Sequence, residues 1–194
     1  MGFNMIIKDH EIRTKYHDGF LRKNPPTEII LHGTAGPNTL NWMKGNPIAS
    51  NGQNYADWYK KGIGLFHYFV DRAGQVFEVI DPERWVFHSE SNTYDENTIG
   101  IEFENLDLAN MGHYTGGQYT AMREIFDHLF SRYKICVLAS HDRYRMKYAN
   151  KNPKPCPGPL FDWFEVIKYF KENKYCYNHK AGIDSFWGIK RREE

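Results

Sequence analysis

Two short apolar runs, Glu28-Ile29-Ile30-Leu31 and Ile135-Cys136-Val137-Leu138-Ala139-Ser140, each stop on a histidine, His32 and His141. Runs this short and this apolar read as buried strands. The chain therefore delivers two imidazoles at the C-terminal ends of two strands, and whatever fold it adopts must place them. Further runs, Leu65–Val70 and Gln75–Ile80, flank Asp71-Arg72-Ala73-Gly74, a hairpin signal with glycine where a positive φ is needed. Thr98–Glu104 is another strand candidate.

Helical signals alternate with these strands. Thr115 and Gln118 form a capping box ahead of Met122, Ile125, Phe126, Leu129, Phe130 and Tyr133, which recur at helical spacing and form a core stripe. Shorter helices are expected over Asn54–Lys61 and Phe161–Phe170, with a loop rich in Tyr, Lys, Asn and Pro between His141 and Pro159. Alternating strands and helices put the chain in the α/β class. At 194 residues it is one domain with room for a proper core, and the polar stretch after Asn173 reads as a packed extension.

Charge narrows the function classes. Lys and Arg number 25 against 24 for Asp and Glu, which points away from disorder and from a nucleic-acid surface. The N-terminus lacks the apolar core of a signal peptide and nothing later is apolar enough to span a bilayer, so synthesis in the cytoplasm is expected. Ile6 stands where a myristoylation signal needs Ser or Thr. Cys136, Cys156 and Cys176 are an odd number, so at least one is a thiol, buried, reactive or bound to metal.

His32, His141 and Cys156 together form a donor set that Zn²⁺ accepts in catalytic sites, two neutral imidazoles and a thiolate with a fourth position left for water. The charge of such a site, about +1, acidifies the water and favours a polarised carbonyl. Spacing alone does not select this outcome. A hydrogen-bonded structural histidine and a small buried thiol are the ordinary occupants of such positions.

In order, EIILHGTAG, GLFHYFVDRAGQVFEVID, TIGIEFEN, LASHD and KPCPGPLFDW resemble the zinc-dependent N-acetylmuramoyl-L-alanine amidases of type 2. That family includes phage lytic amidases, cell-wall-recycling amidases and peptidoglycan recognition proteins. The resemblance covers Glu28 to Phe170. It implies a single α/β domain with a central mixed β-sheet flanked by helices, residues 1–172 being the catalytic domain and 173–194 a C-terminal extension. It implies Zn²⁺ held by His32, His141 and Cys156, a peptidoglycan or soluble muropeptide substrate, and a monomer. Lys154 matches a lysine that stabilises the oxyanion.

One departure stands out. Phage members carry a catalytic tyrosine before the histidine of the hairpin's first strand, and here that residue is Phe66, before His67. In the recycling-type branch a glutamate on a neighbouring strand takes the acid/base role, and Glu102 sits at the matching place. Glu104 shares its face by period two and is the rival. His88, Trp85 and Thr34 are the substrate-binding candidates. An ordinary loop histidine is the alternative for His88, and buried packing is the alternative for Trp85, as for Trp42 and Trp58. His67 is expected in the core or hydrogen-bonded to a ligand. Three functions follow: an amidase cutting between the muramic acid lactyl group and L-alanine, a peptidoglycan-binding protein that has lost catalysis, and a scaffold with a structural zinc. For the first, the settings are a phage endolysin, a recycling enzyme or an exported effector.

Overall fold

The computed structural model describes residues 7–8, 19–34, 65–90, 94–105, 113–148, 155–173, 175–179 and 186–191. The expected helix over Asn54–Lys61, together with Trp42, Trp58 and Lys154, lies outside these residues.

The described strands are β1 (Ile7–Lys8), β2 (Phe20–Leu21), β3 (Glu28–Gly33), β4 (Tyr68–Val70), β5 (Val76–Glu78), β6 (Arg84–Trp85), β7 (Thr98–Phe103), β8 (Val137–Ser140), β9 (Tyr175–His179) and β10 (Phe186–Arg191). The helices are α1 (Gly116–Arg132), α2 (His141–Tyr148) and α3 (Trp163–Glu172). Eight strands form one sheet in the order β1-β5-β4-β7-β3-β8-β10-β9, and β2 pairs with β6 separately. At its centre β4, β7, β3 and β8 run parallel, while β5, β10 and β9 join antiparallel, so the sheet is mixed.

Period two along the central strands separates two faces. Ile29, Leu31, Ile99, Ile101, Phe103 and Leu138 pack against Met122, Ile125, Phe126 and Leu129 of α1 and Val166, Tyr169 and Phe170 of α3 in the main core. Ile30, Val137 and Ala139 face the other way and meet Tyr144 of α2. Helices thus cover both faces, as strands apolar along their whole length require.

Local chemistry explains the element ends. The capping box is formed: the Thr115 side chain accepts from the Gln118 N–H and the Gln118 side chain accepts from the Thr115 N–H. Gly74 closes the β4–β5 hairpin at φ +86°, and a Cβ there would lie 2.6 Å from the Gly117 backbone, so both φ and α1 demand glycine. The loop expected after His141 is instead α2. Ser140 starts it by accepting from the Arg143 N–H at 3.3 Å and donating to Asp142 Oδ1 at 2.9 Å, and Tyr144, fully buried, anchors it to the sheet. The segment after Asn173 supplies β9 and β10, and β10 pairs with β8 at Phe186–Ala139, Trp187–Leu138 and Gly188–Val137. No helix among the described residues is long and apolar enough to cross a membrane.

Candidate metal centre

The C-terminal ends of three adjacent strands converge on one point. In the parallel register of β3 with β7, His32 pairs with Glu102, and in that of β3 with β8, Leu31 pairs with Ser140. His141, the next residue after Ser140, therefore comes level with His32 on the opposite side from Glu102. The His32 and His141 rings are 4.5 Å apart between centroids.

Cys156 completes the group from a loop 124 residues after His32. Its sulfur accepts from the Gly33 N–H at 3.4 Å, and its carbonyl accepts from the Asp142 N–H at 3.2 Å, so the loop is tied to both histidine-bearing strand ends. Ligand atoms of His32, His141 and Cys156 all lie within 4.8 Å of one another, and all three residues are buried. The Cys156 Sγ to His32 Nδ1 distance is 3.9 Å. Tetrahedral zinc with ordinary Zn–S and Zn–N bonds holds such atoms about 3.6 Å apart. Two imidazoles and a buried sulfur that accepts a backbone N–H fit zinc in chemistry, and the one Cys156–His32 separation lies close to the tetrahedral value.

The glutamates separate clearly. Glu102 stands beside His32 by register and is only partly buried. Glu104 Oε2 accepts from the Arg72 N–H at 3.1 Å, and its backbone N–H donates to Val70, which binds that residue to the β4–β5 turn. Phe66 is 4% exposed and packs with Leu65, Phe69, Val79 and Val86, its ring stacked on Phe69 at 5.8 Å.

The substrate-binding candidates fall in three different environments. Thr34 Oγ1 accepts from the Asn105 N–H at 2.7 Å and donates to the Asn105 carbonyl at 3.2 Å, extending the β3–β7 pairing past the last ladder bond. Trp85 is half-buried on β6, stacked on Phe20 at 4.6 Å and edge-on to Phe87 at 4.9 Å. His88 is 8% exposed and lies behind His32, with its Nδ1 at 3.0 Å from His32 Nε2 and its Nε2 at 2.7 Å from Thr98 Oγ1. Both ring nitrogens are thus used inside the protein.

His67 is fully buried beyond His88, ring centroids 5.7 Å apart. Its Nδ1 accepts from the Gly100 N–H at 3.0 Å, so the neutral ring carries its proton on Nε2, which lies 3.0 Å from the Arg84 carbonyl and 3.0 Å from Arg22 Nη2. Burial, reinforced by Arg22, holds its pKa down at about 3, so this ring stays neutral. Arg22 donates to the carbonyls of Pro82, Glu96 and Thr98, and burial lowers its pKa to about 10. Arg22, Thr98 and Gly100 were not singled out from the sequence, though a glycine inside the run Thr98–Phe103 is a recognised sign of close approach by another group.

Comparison with known proteins bears on the family and the fold. The family model described as N-acetylmuramoyl-L-alanine amidase matches residues 22–159, more than half of the chain and inclusive of every residue of the cluster. No curated protein matches the sequence. Among solved structures, an endolysin N-acetylmuramoyl-L-alanine amidase from Clostridium intestinale is similar at 18% identity and a TM-score of 0.64, over 88% of this chain and 97% of that one. The endolysin of a Thermus scotoductus bacteriophage gives 21% identity and a TM-score of 0.57, over 85% and 98%. Drosophila peptidoglycan recognition protein SD gives 17% identity and a TM-score of 0.58, over 84% and 93%. At such identities the structures speak for the fold, while the family model spans the sequence itself: the chain belongs to the N-acetylmuramoyl-L-alanine amidase family.

Proposed function

We propose that this protein is a zinc-dependent N-acetylmuramoyl-L-alanine amidase that hydrolyses the amide between the muramic acid lactyl group and L-alanine of peptidoglycan, in the setting of a phage or prophage endolysin. The observation that carries the proposal is the convergence of His32, His141 and Cys156 within 4.8 Å, with Glu102 beside His32. The endolysins among the similar structures support the setting.

His32, His141 and Cys156 would hold the ion. Bound there, Zn²⁺ supplies Lewis acidity toward a carbonyl oxygen and lowers the pKa of water. Glu102, level with His32 and open enough to reach solvent, takes the proton of the attacking water and returns it to the leaving L-alanine amine. Lys154, two residues before Cys156, neutralises the oxyanion. Phe66, buried in an apolar cluster, has no proton to offer, so the acid/base work falls to the carboxylate.

Phe66 also favours a second function, peptidoglycan binding without cleavage, since it removes the hydroxyl that phage members use. One experiment separates the two. Wild type and Cys156→Ala are purified without chelator, zinc is quantified, and both are assayed for new L-alanine amino termini from peptidoglycan and from soluble muropeptides. One zinc per chain with cleavage, both lost in the variant, is the expected result. Zinc without cleavage would transfer the protein to the binding class, and a zinc-free wild type would overturn the mechanism.

A further inference from the structure

The hydrogen bonds behind His32 form a chain whose direction is set by counting protons. Thr98 Oγ1 lies 3.0 Å from the Asp95 carbonyl, which only accepts, so the single hydroxyl proton of Thr98 goes there. Thr98 Oγ1 is then the acceptor in its 2.7 Å contact with His88 Nε2, and His88 carries its proton on Nε2. A neutral His88 has a bare Nδ1, and the group 3.0 Å from it, His32 Nε2, must be the donor. His32 is thereby the Nε2–H tautomer, and its lone pair sits on Nδ1, the atom that faces Cys156.

Two further features fit this chain. The His88 ring lies over Gly100, where a Cβ would come within 2.8 Å of His88 Nδ1 and 3.0 Å of its Cε1 and Cγ; glycine in mid-strand opens the slot the ring occupies. His88 is buried at 8% exposure and both of its ring nitrogens have partners inside the protein, as a neutral ring that donates at one nitrogen and accepts at the other requires. Oδ1 of Asp95, 3.8 Å from His88 Nε2, accepts from the N–H and hydroxyl of Ser89 and leaves the closer position to Thr98.

We infer that His88 is a positioning residue for the metal centre: a directed chain from the Asp95 carbonyl through Thr98, His88 and His32 fixes the tautomer of His32 so that Nδ1 is the ligand atom. An imidazole in this place does what a carboxylate or carbonyl commonly does behind a metal-binding histidine, but it stays neutral and adds no charge to the site. The role rests on the zinc proposal made above, although the tautomers themselves do not.

The test has one part that needs no metal. In metal-free, ¹⁵N-labelled protein, long-range ¹⁵N–¹H spectra report which ring nitrogen of each histidine is protonated. His32 and His88 are both expected as Nε2–H, and Nδ1–H at either overturns the inference. In the second part, zinc affinity is measured by chelator competition. His88→Leu should weaken it about 10–100-fold, the range for partners of metal ligands. His88→Asn, whose Oδ1 can stand in for Nδ1, should recover much of the loss. Thr98→Val, nearly isosteric within its strand, covers the case of a His88 variant that does not fold; it should mix the tautomers of His88 and weaken zinc by a smaller factor. Variants that bind zinc as wild type does would overturn the role. A wild type with the expected tautomers and no zinc affinity would remove the zinc proposal and, with it, the metal-positioning role, leaving the chain as a fact of the fold.

Discussion

Along β7 the two faces of one strand meet different physics. Ile99, Ile101 and Phe103 are fully buried against α1 and α3, where only volume and apolar area count. Thr98, Gly100 and Glu102 alternate with them and face the imidazoles of His88 and His32, where each atom's place in a hydrogen-bond sequence counts. The first face tolerates exchange of like for like; the second is defined by donors, acceptors and one missing Cβ. Changes on the two faces should therefore separate stability from chemistry.

The largest effect is expected on the chemical face. Cys156→Ala should remove bound zinc and lower amide cleavage more than about a thousandfold, the several kcal/mol that metal polarisation provides, with the melting curve still cooperative. Metal analysis beside the activity assay checks it. Glu102→Gln should retain zinc and cut kcat by about a hundredfold to a thousandfold. Glu104→Gln, whose carboxylate serves the Arg72 N–H, should change kcat far less. Equal losses in the two glutamine variants would erase the distinction drawn between these carboxylates.

On the apolar face the readout should invert. Ile101→Ala, fully buried between strands and helices, should cost about 2–5 kcal/mol in denaturant unfolding while the folded fraction keeps wild-type zinc and kcat. A kcat loss there at full zinc occupancy would mean the faces are coupled. Thr115→Ala, removing one half of the capping box of α1, should cost only about 1 kcal/mol by the same measurement.

The turn that leads into β7 should also carry a pH signature. Burial raises the Asp95 carboxyl from 3.8 to about 6, so the folded state holds a proton that the unfolded state has released. Stability from this group therefore falls as pH rises from about 4 to about 6, by about 3 kcal/mol in all. Asp95→Asn, which keeps an acceptor for Ser89, should lack that fall. Unfolding curves of the two proteins at pH 4.5 and 7 should thus diverge, and parallel curves would mean that Asp95 titrates normally.

Most of the frame is legible in local patterns. The runs that became β3, β7 and β8, the hairpin with Gly74, the Thr115–Gln118 box and the stripe of α1 are all signals carried by neighbours in sequence. α2 was hidden because its residues, His141 to Tyr148, are mostly polar with one buried anchor, Tyr144, and the capping serine also ends a strand. The pairing of β10 with β8 is invisible for a related reason: an antiparallel partner almost fifty residues away leaves no trace in either strand's own composition.

By itself the sequence determined the inventory of the centre: two imidazoles at strand ends, one cysteine before a proline-rich loop, and two glutamates on a common face, because each is a matter of residue type and short-range period. The family resemblance favoured Glu102 over Glu104, but the level at which Glu102 stands beside His32, and what lies behind that histidine, belong to the tertiary structure. Period two sets the face of a residue within its strand, whereas the level at which two strands meet depends on pairing between residues some seventy positions apart, such as His32 with Glu102. The same holds for His88, brought behind His32 by the path of its loop and seated there by a glycine two residues before Glu102.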